Sequence, residues 1–592
     1  MTRLARAREK KQNTGQTFLQ GALILSVAAV ISKVVGALFK IPLQNIAGMV
    51  AWGHFETAYQ FYLPIYTIAI AGLPLAVARM VSESIALERY RDVHTVYRLA
   101  IRIFLLCGVV GTLIMWFGAD AYAGFVGMPE SRRCIQMMAP TVFFSCLVSA
   151  HRGLYEGTRN MIPTAVSQII ESMGKLVLGV GLGYLALYWG QHQFAVGQPV
   201  FGVMAHDPDQ ALLISQPYVA VGAMAGVTIG SALAWVYTLW YHHRVGDGVT
   251  RQQVLAAPAS RTNKEVFRAL MAIAIPVTLG SLATQLTTLL DTLSLQRCLK
   301  ILMEGPGGAQ VLDMYRDQLQ AARVDPHSVE DVLAWLTGNR GTAMTYVNIV
   351  PNITLTLGIS ALPVVTSAWT LKDHRQLTDT VESALRITLL LALPCGILLS
   401  VLGEPLMYFV YGREHISQVV GMLLAVLGVT TVFICLVAPV NAILQAVGRA
   451  DLPVKIILAG GAIKLALNVA LVLQPWLNVN GSSLSTLACY LVMVALSLRA
   501  VRKVVGVRLH WTHMAIKPLI AAVICGGTAF GLDRLLEMVM SRRLSTLVAC
   551  IIAAIVYLIV LILIRAFTKD DILMLPKGKK IAKVLEKYGK IG

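Results

Sequence analysis

Apolar runs of about 20 residues, each closed by a polar, proline or glycine break, recur along the whole chain and leave it few folds to choose from. Within a bilayer every backbone N–H and C=O must be satisfied inside the protein, so runs of this length become helices. Fourteen can be placed, at 18–43, 59–81, 97–118, 134–155, 163–188, 217–241, 266–297, 342–369, 380–402, 417–444, 453–474, 481–501, 514–532 and 545–566. The expected fold class is therefore all-α and polytopic. Hydrophobic residues make up 56% of the chain and charged residues 14%, which leaves too little polar surface for a soluble protein. The net charge of +19 does not point to nucleic acid, because Lys and Arg collect in connections between apolar runs.

Those connections orient the chain. Arg3, Arg6, Arg8, Lys10 and Lys11 precede the first run, which is too long for a signal peptide and reads as a retained helix. Connections 244–268 and 499–517 are also rich in Lys and Arg, as is the tail beyond Arg565. With an even number of spans all four fall on one side, and the positive-inside rule makes that side cytoplasmic. The expected location is the cell membrane, with both termini in the cytoplasm. The longest outer connection, 298–341, carries Asp325-Pro326-His327-Ser328 followed by Glu330 and Asp331, a helix-start pattern.

Two lysines stand inside the first run. Lys33 and Lys40 are seven residues apart, about two helical turns, and so share a face with Gly36 between them. Gln44 extends that stripe. A lysine at mid-bilayer costs about 2.5–3.5 kcal/mol even on a lenient scale, so two on one face suggest a wet, anion-attracting cavity. Lys40, near Pro42 and the end of the run, also fits snorkelling toward the headgroups. Glu171 and Lys175 lie four apart in the fifth run, spaced for an internal ion pair or for gating and ion coupling. The seventh run carries Ser281, Thr284, Gln285, Thr288, Asp291 and Thr292 at helical spacing, and the eighth carries Thr345, Asn348, Asn352 and Thr356. An Asp between two polar stripes favours a wet cavity over plain helix packing.

The chain repeats itself. Gly157-Thr158-Arg159-Asn160-Met161-Ile162-Pro163 is echoed by Gly448-Arg449-Ala450-Asp451-Leu452-Pro453, matching Arg159 to Arg449 and Pro163 to Pro453, and Lys175 has a counterpart in Lys464. Tyr59 to Pro64 likewise matches Tyr346 to Pro351. Each pair is six spans apart, so the repeat unit is a six-helix lobe in a constant orientation, an architecture of transporters. The expected domains are a basic N-terminus (1–17), an N-lobe (18–243), a linker (244–265) and a C-lobe (266–503, with outer loop 298–341). A last helix pair (514–566) and a basic tail (567–592) follow.

Nothing in the chain reads as an enzyme. HExxH, Walker and GxSxG patterns are missing, no cofactor or metal site is indicated, and nine scattered cysteines show no CxxC spacing. Most histidines fall in expected loops or at span ends.

The run Ser32-Lys33-Val34-Val35-Gly36-Ala37-Leu38-Phe39-Lys40-Ile41-Pro42-Leu43-Gln44 resembles the first helix of stage V sporulation protein B and the Gram-positive lipid II flippases. Ala71-Gly72-Leu73-Pro74 with Val81-Ser82-Glu83, Ser167-Gln168-Ile169-Ile170-Glu171, and Leu336-Thr337-Gly338 through Ala343-Met344-Thr345-Tyr346 are similar to later helices of that family. The resemblance covers nearly the whole chain. It implies the MOP superfamily, with two six-helix lobes, alternating access and two extra helices that hold a polyprenyl tail. The implied cargo is an undecaprenyl-diphosphate-linked oligosaccharide, flipped from the inner to the outer leaflet. The partners are then that cargo and membrane lipids, with a monovalent cation as a candidate coupling ion. The cavity set becomes Lys33, Lys40, Gln44, Asp291, Asn348, Asn352 and Lys464, with Lys33 on a cationic position of the family. Arginines that Gram-negative members carry in the second and eighth helices have no match here. The alternatives are a sporulation-specific or capsular exporter of the same family, and a drug/cation antiporter of the MATE type. A membrane-bound glycan polymerase or acyltransferase lacks the acid/base or metal site it needs.

Overall fold

The computed structural model describes residues 18–449, 451–506 and 511–566, so the basic N-terminus 1–17 and the tail 567–592 lie outside the described residues. What is described is helical apart from turns and one isolated bridge between Val200 and Val203. Twelve helices among the described residues are long and apolar enough to cross a membrane. One of them, Leu23–Ala86, holds both the first and the second expected spans. The eighth expected span falls on α12 (Val329–Val347) and α13 (Ile349–Thr370), which are not among the twelve and are separated at Asn348. The expected count of fourteen is thus not what helix length and apolarity deliver. In the connection 298–341, expected to be outer, α10 (Gly308–Met314) and α11 (Arg316–Ala321) precede α12, which starts one residue after Ser328.

The chain divides into two compact units. The first runs to Leu293 and includes Arg323–Gly338; the second comprises Ser294–Ala322 and everything from Asn339 onward.

The first unit is organised by a reversal inside α1 (Phe18–Ile70). Gly48 adopts φ 78° and ψ 178°, a backbone region open essentially to glycine alone. In a straight helix Phe39 and Phe55 would stand about 24 Å apart. Instead their ring centroids are 5.6 Å apart, so two spans come from one nearly continuous helix. After a break at Ala71 the chain continues as α2 (Gly72–Ala86), α3 (Tyr90–Val126) and α4 (Ser131–Gly157). The next span is α5 (Ile162–Gly174), a π-helical segment (Lys175–Gly179) and α6 (Val180–Ala195), packed against α7 (Pro208–Val245).

Glycines set the register of that packing. A Cβ on Gly174 would lie 2.4 Å from Gly230 Cα, and one on Gly226 would lie 2.1 Å from Gly179 N. The α7 glycines recur every four residues, whereas Gly174 and Gly179 are five apart. A π turn absorbs the extra residue and keeps both glycines on the packed face. Beyond α7, the short helix α8 (Arg251–Ala256) carries a capping box at Thr250, and α9 (Asn263–Glu304) follows.

In the second unit α14 (His374–Val401), α16 (Glu414–Ala446) and α18 (Val479–Val505) share an apolar core with α19 (Lys517–Glu537) and α20 (Arg542–Leu563). Leu385, Leu389, Cys435, Val440, Ala521 and Cys525 fill it. Tyr557 of α20 donates a 2.8 Å hydrogen bond to the Leu390 carbonyl of α14. At the other end of the pair, Arg542 reaches Glu404 of α15 (Gly403–Tyr411) at 2.7 Å and lies 4.6 Å from the Tyr408 ring centroid.

The repeat is visible in backbone geometry, one residue away from the expected register. Helix α4 ends at Gly157 and α16 at Ala446; α5 starts at Ile162 and α17 (Asp451–Val472) at Asp451. Both steps equal 289, which pairs Arg159 with Gly448 rather than with Arg449. The two paired residues share the left-handed turn conformation, with φ 59° and 78°. Backbone conformation, not side-chain identity, is what the duplication preserves here. Lys175 and Lys464 stay equivalent.

Candidate functional site

On the second half of α1, Trp52, Phe55, Tyr59, Tyr62 and Tyr66 recur at steps of three and four and so line one helix face. Their rings form a continuous ladder, with successive centroids 4.9, 6.0, 5.8 and 4.9 Å apart. Phe39, from before the Gly48 reversal, joins it against Phe55. Stacked and tilted pairs of this kind contribute about 0.5–1.5 kcal/mol each beyond their area burial.

The charges gather around this ladder. Lys175 Nζ sits 5.0 Å from the Phe39 centroid, 5.6 Å from Phe55 and 5.0 Å from Tyr59. Lys40 Nζ lies 5.4 Å from the Trp52 ring. Glu56 and Lys40 are the charged neighbours of Lys175, and Glu56 accepts a 2.6 Å hydrogen bond from Gln60. At the far end, Arg152 of α4 donates to Glu171 at 2.8 Å and to the Ser167 hydroxyl at 2.8 Å. Glu171 and Lys175, spaced for a mutual ion pair, therefore do not form one. The planar guanidinium of a neighbouring helix takes the carboxylate, and the lysine, first residue of the π segment, turns to the rings.

The other expected residues are distributed as follows. Lys33 is exposed on α1, and a Cβ built on Gly36 meets nothing within 4 Å. Lys33 and Lys40 do not share an environment: one is exposed and the other lies over Trp52. Gln44 is fully buried, and Asp291 is 6% exposed in the first-unit part of α9. Thr288 and Thr292 of the α9 stripe donate to the helix's own carbonyls. In the second unit, Asn348 marks the break between α12 and α13, Asn352 donates to the Asn348 carbonyl at 2.7 Å, and Lys464 is buried at 8% exposure. Lys40, Glu171 and Lys175 thus gather along one aromatic wall of the first unit, together with Arg152 and Glu56.

Sequence reading missed Arg152, Glu56 and the aromatic ladder. The ladder was there to be found, in the three-four spacing from Trp52 to Tyr66. The histidines also needed correction: His54 and His151 are buried inside helices, and His54 Nδ1 shares a 2.8 Å hydrogen bond with the Ser131 hydroxyl. All nine cysteines are free.

Between α3 and α4 the Glu130 backbone N–H donates to Glu330 Oε1 at 2.7 Å. Burial pushes the Glu330 carboxyl up to about 7 and that of Asp331 to about 6.

A family described as Polysaccharide biosynthesis protein matches residues 18–206, and the MatE family matches residues 340–470. The lipid II flippase MurJ of Bacillus subtilis (strain 168) is 23% identical over 485 residues, 80% of each chain. Stage V sporulation protein B of the same organism is 22% identical over 563 residues, covering 95% of this chain and 98% of that one. Among solved structures, a lipid II flippase MurJ in an inward closed conformation aligns with TM-score 0.59 at 14% identity, covering 91% of this chain and 98% of that one. An inward-facing multidrug resistance MATE family transporter aligns with TM-score 0.58 at 13% identity, covering 81% and 98%. The relatives whose names carry a function are flippases and transporters rather than enzymes. The many apolar helices make this chain a multi-pass membrane protein; its fold is that of the MurJ and MATE structures, and in sequence it is similar to lipid II flippase MurJ and to stage V sporulation protein B.

Proposed function

We propose that the protein flips an undecaprenyl-diphosphate-linked cell-wall precursor of the lipid II class from the inner to the outer leaflet by alternating access. The observation that carries this reading is the concentration of positive charge inside the membrane part of the first unit. Lys40, Lys175 and Arg152 stand along one aromatic wall with Glu56, Glu171 and Glu156, and Lys33, exposed on the same α1, brings the set to four cations against three carboxylates. A surplus of cations inside the membrane suits a diphosphate headgroup and repels a cationic drug, which weighs against the MATE-type alternative. An inside-negative potential assists outward movement of such a headgroup by about 2.3 kcal/mol per charge per 100 mV.

In this reading the six-helix lobes are 18–243 and 266–503, joined by linker 244–265, and both termini are cytoplasmic. The pair 514–566 accommodates the lipid tail. Lys33, Lys40, Gln44, Asp291, Asn348, Asn352 and Lys464 serve the headgroup, and the Glu171 region serves gating. A sporulation-specific or capsular cargo is the second reading, favoured by the near full-length match to stage V sporulation protein B. The deciding experiment is depletion of the protein followed by mass spectrometry of the lipid-linked sugars that accumulate on the inner leaflet. Lipid II supports the first reading; a capsular or spore-specific intermediate replaces it with the second.

A further inference from the structure

The setting of Lys175 is more specific than a surplus charge requires. Three ring faces lie within 6 Å of its ammonium, the distance at which a cation is drawn to an aromatic face. The rings come from both sides of the Gly48 reversal and are not parallel: Phe39 is tilted 49° to Phe55, while Phe55 and Tyr59 lie within 14° of each other. Two nearly parallel rings and one inclined to them make a cup rather than a stack.

The element that delivers the ammonium also makes room for the cup. Gly179 ends the π segment that Lys175 begins, and a Cβ there would fall 2.9 Å from Phe39 Cε2. The glycine packing against α7 holds that segment in register. Glu56, fixed by its hydrogen bond from Gln60, adds an attraction that the nearby Lys40 more than offsets, so it is the ring faces that hold the ammonium here. Ring faces on several sides are what a protein uses to recognise a free alkylammonium ion.

We propose that the cup formed by Phe39, Phe55 and Tyr59 is a cation-binding site occupied by the chain's own side chain. Lys175 is its tethered ligand, and the chemical class the site accepts is a small alkylammonium. Because the occupant is covalently attached, the site draws no ion from solution, and the charge of the first unit at this point stays fixed as salt varies. The proposal goes beyond the flippase reading and does not depend on which cargo is carried.

The test uses the full-length protein in detergent, with n-propylammonium as probe because it replaces the atoms that Lys175→Ala removes. Thermal unfolding is followed for the wild type, Lys175→Ala and Lys175→Met. The expected result is saturable stabilisation of Lys175→Ala by n-propylammonium. n-Propanol and matched sodium chloride should have no such effect, and neither the wild type nor Lys175→Met should respond. An equal response in wild type and Lys175→Ala, or none in Lys175→Ala, overturns the proposal. Should Lys175→Ala fail to fold, acylation by acetic anhydride decides instead. Lys175 should label on the order of tenfold more slowly than Lys33 in the wild type, a ratio of the size a desolvated cation–π contact supplies, and Tyr59→Leu should reduce that protection. Labelling of Lys175 that Tyr59→Leu leaves unchanged overturns the proposal equally. Neither readout involves cargo, so failure of the flippase reading would leave both intact.

Discussion

Arg152 and Glu171 close a 2.8 Å ion pair between neighbouring helices, and Lys175, one turn beyond Glu171, takes no part in it. Both partners are largely shielded, with side chains 12% and 20% exposed. Removing one partner of such a pair strands the other and costs about 3 kcal/mol or more. Glu171→Gln should therefore lower the unfolding midpoint sharply, and adding Arg152→Met should restore much of the loss. Adding Lys175→Met should restore none of it. A double-mutant cycle by thermal unfolding in detergent checks this, and rescue by the lysine change would show that the pairing has been misassigned.

Lys33 is the exposed cation of α1 and the residue on which the flippase reading leans most. Lys33→Ala should abolish flipping of a lipid-linked diphosphate in reconstituted vesicles while expression and unfolding temperature hold. Lys33→Arg should retain part of the activity, because charge persists while shape changes. Lys33→Glu should be the least active of the three. Normal flipping by a well-expressed Lys33→Ala protein would remove Lys33 from the cargo path.

The segment that carries Glu330 and Asp331 should respond to pH. Glu330 and Asp331 have their folded pKa values raised by burial to about 7 and about 6. An acid whose folded pKa lies above its unfolded value contributes stability that is full below the unfolded pKa and is lost as pH rises through the folded one. Segment 323–338 should accordingly be better protected at pH 5 than at pH 8, with protection falling progressively from about pH 4 to about pH 7 and level above that. Hydrogen exchange of its amides across that range measures the effect. Glu330→Gln should flatten the profile, and protection that grows with rising pH would contradict the assignment.

Topology can be tested at His327, an exposed residue just before α12. His327→Cys should react with a membrane-impermeant thiol reagent in intact cells, while an engineered cysteine in 250–260 should react only after permeabilisation. The reverse pattern would invert the orientation drawn from the Lys and Arg distribution.

Much of the fold was legible because apolar run length reports the bilayer directly. The stretch 44–58 falls between the first two expected spans because Asn45, His54, Glu56 and Thr57 interrupt the apolar pattern. In the structure they are helical, and the Gly48 reversal lets their neighbours pack against each other. A single glycine among polar residues carries little local signal of a turn, since the turn is stabilised by packing on both sides of it. The Glu171–Lys175 spacing showed the same limit. Helical periodicity names which residues are neighbours on one helix, but Arg152 belongs to another, and only tertiary structure ranks the competing partners. The repeat register slipped by one residue because matching Arg159 to Arg449 by identity ignored that the left-handed position at the turn tolerates either Arg or Gly.

The reversal at Gly48 also bears on how the chain enters the membrane. With no stretch of extended backbone between the two arms of α1, residues 18–70 have nothing to translocate ahead of the second arm. The natural insertion intermediate is a helical hairpin released sideways from the translocon as one piece. The tip of that hairpin then offers a protease no cleavable strand and an inserted epitope no place to sit.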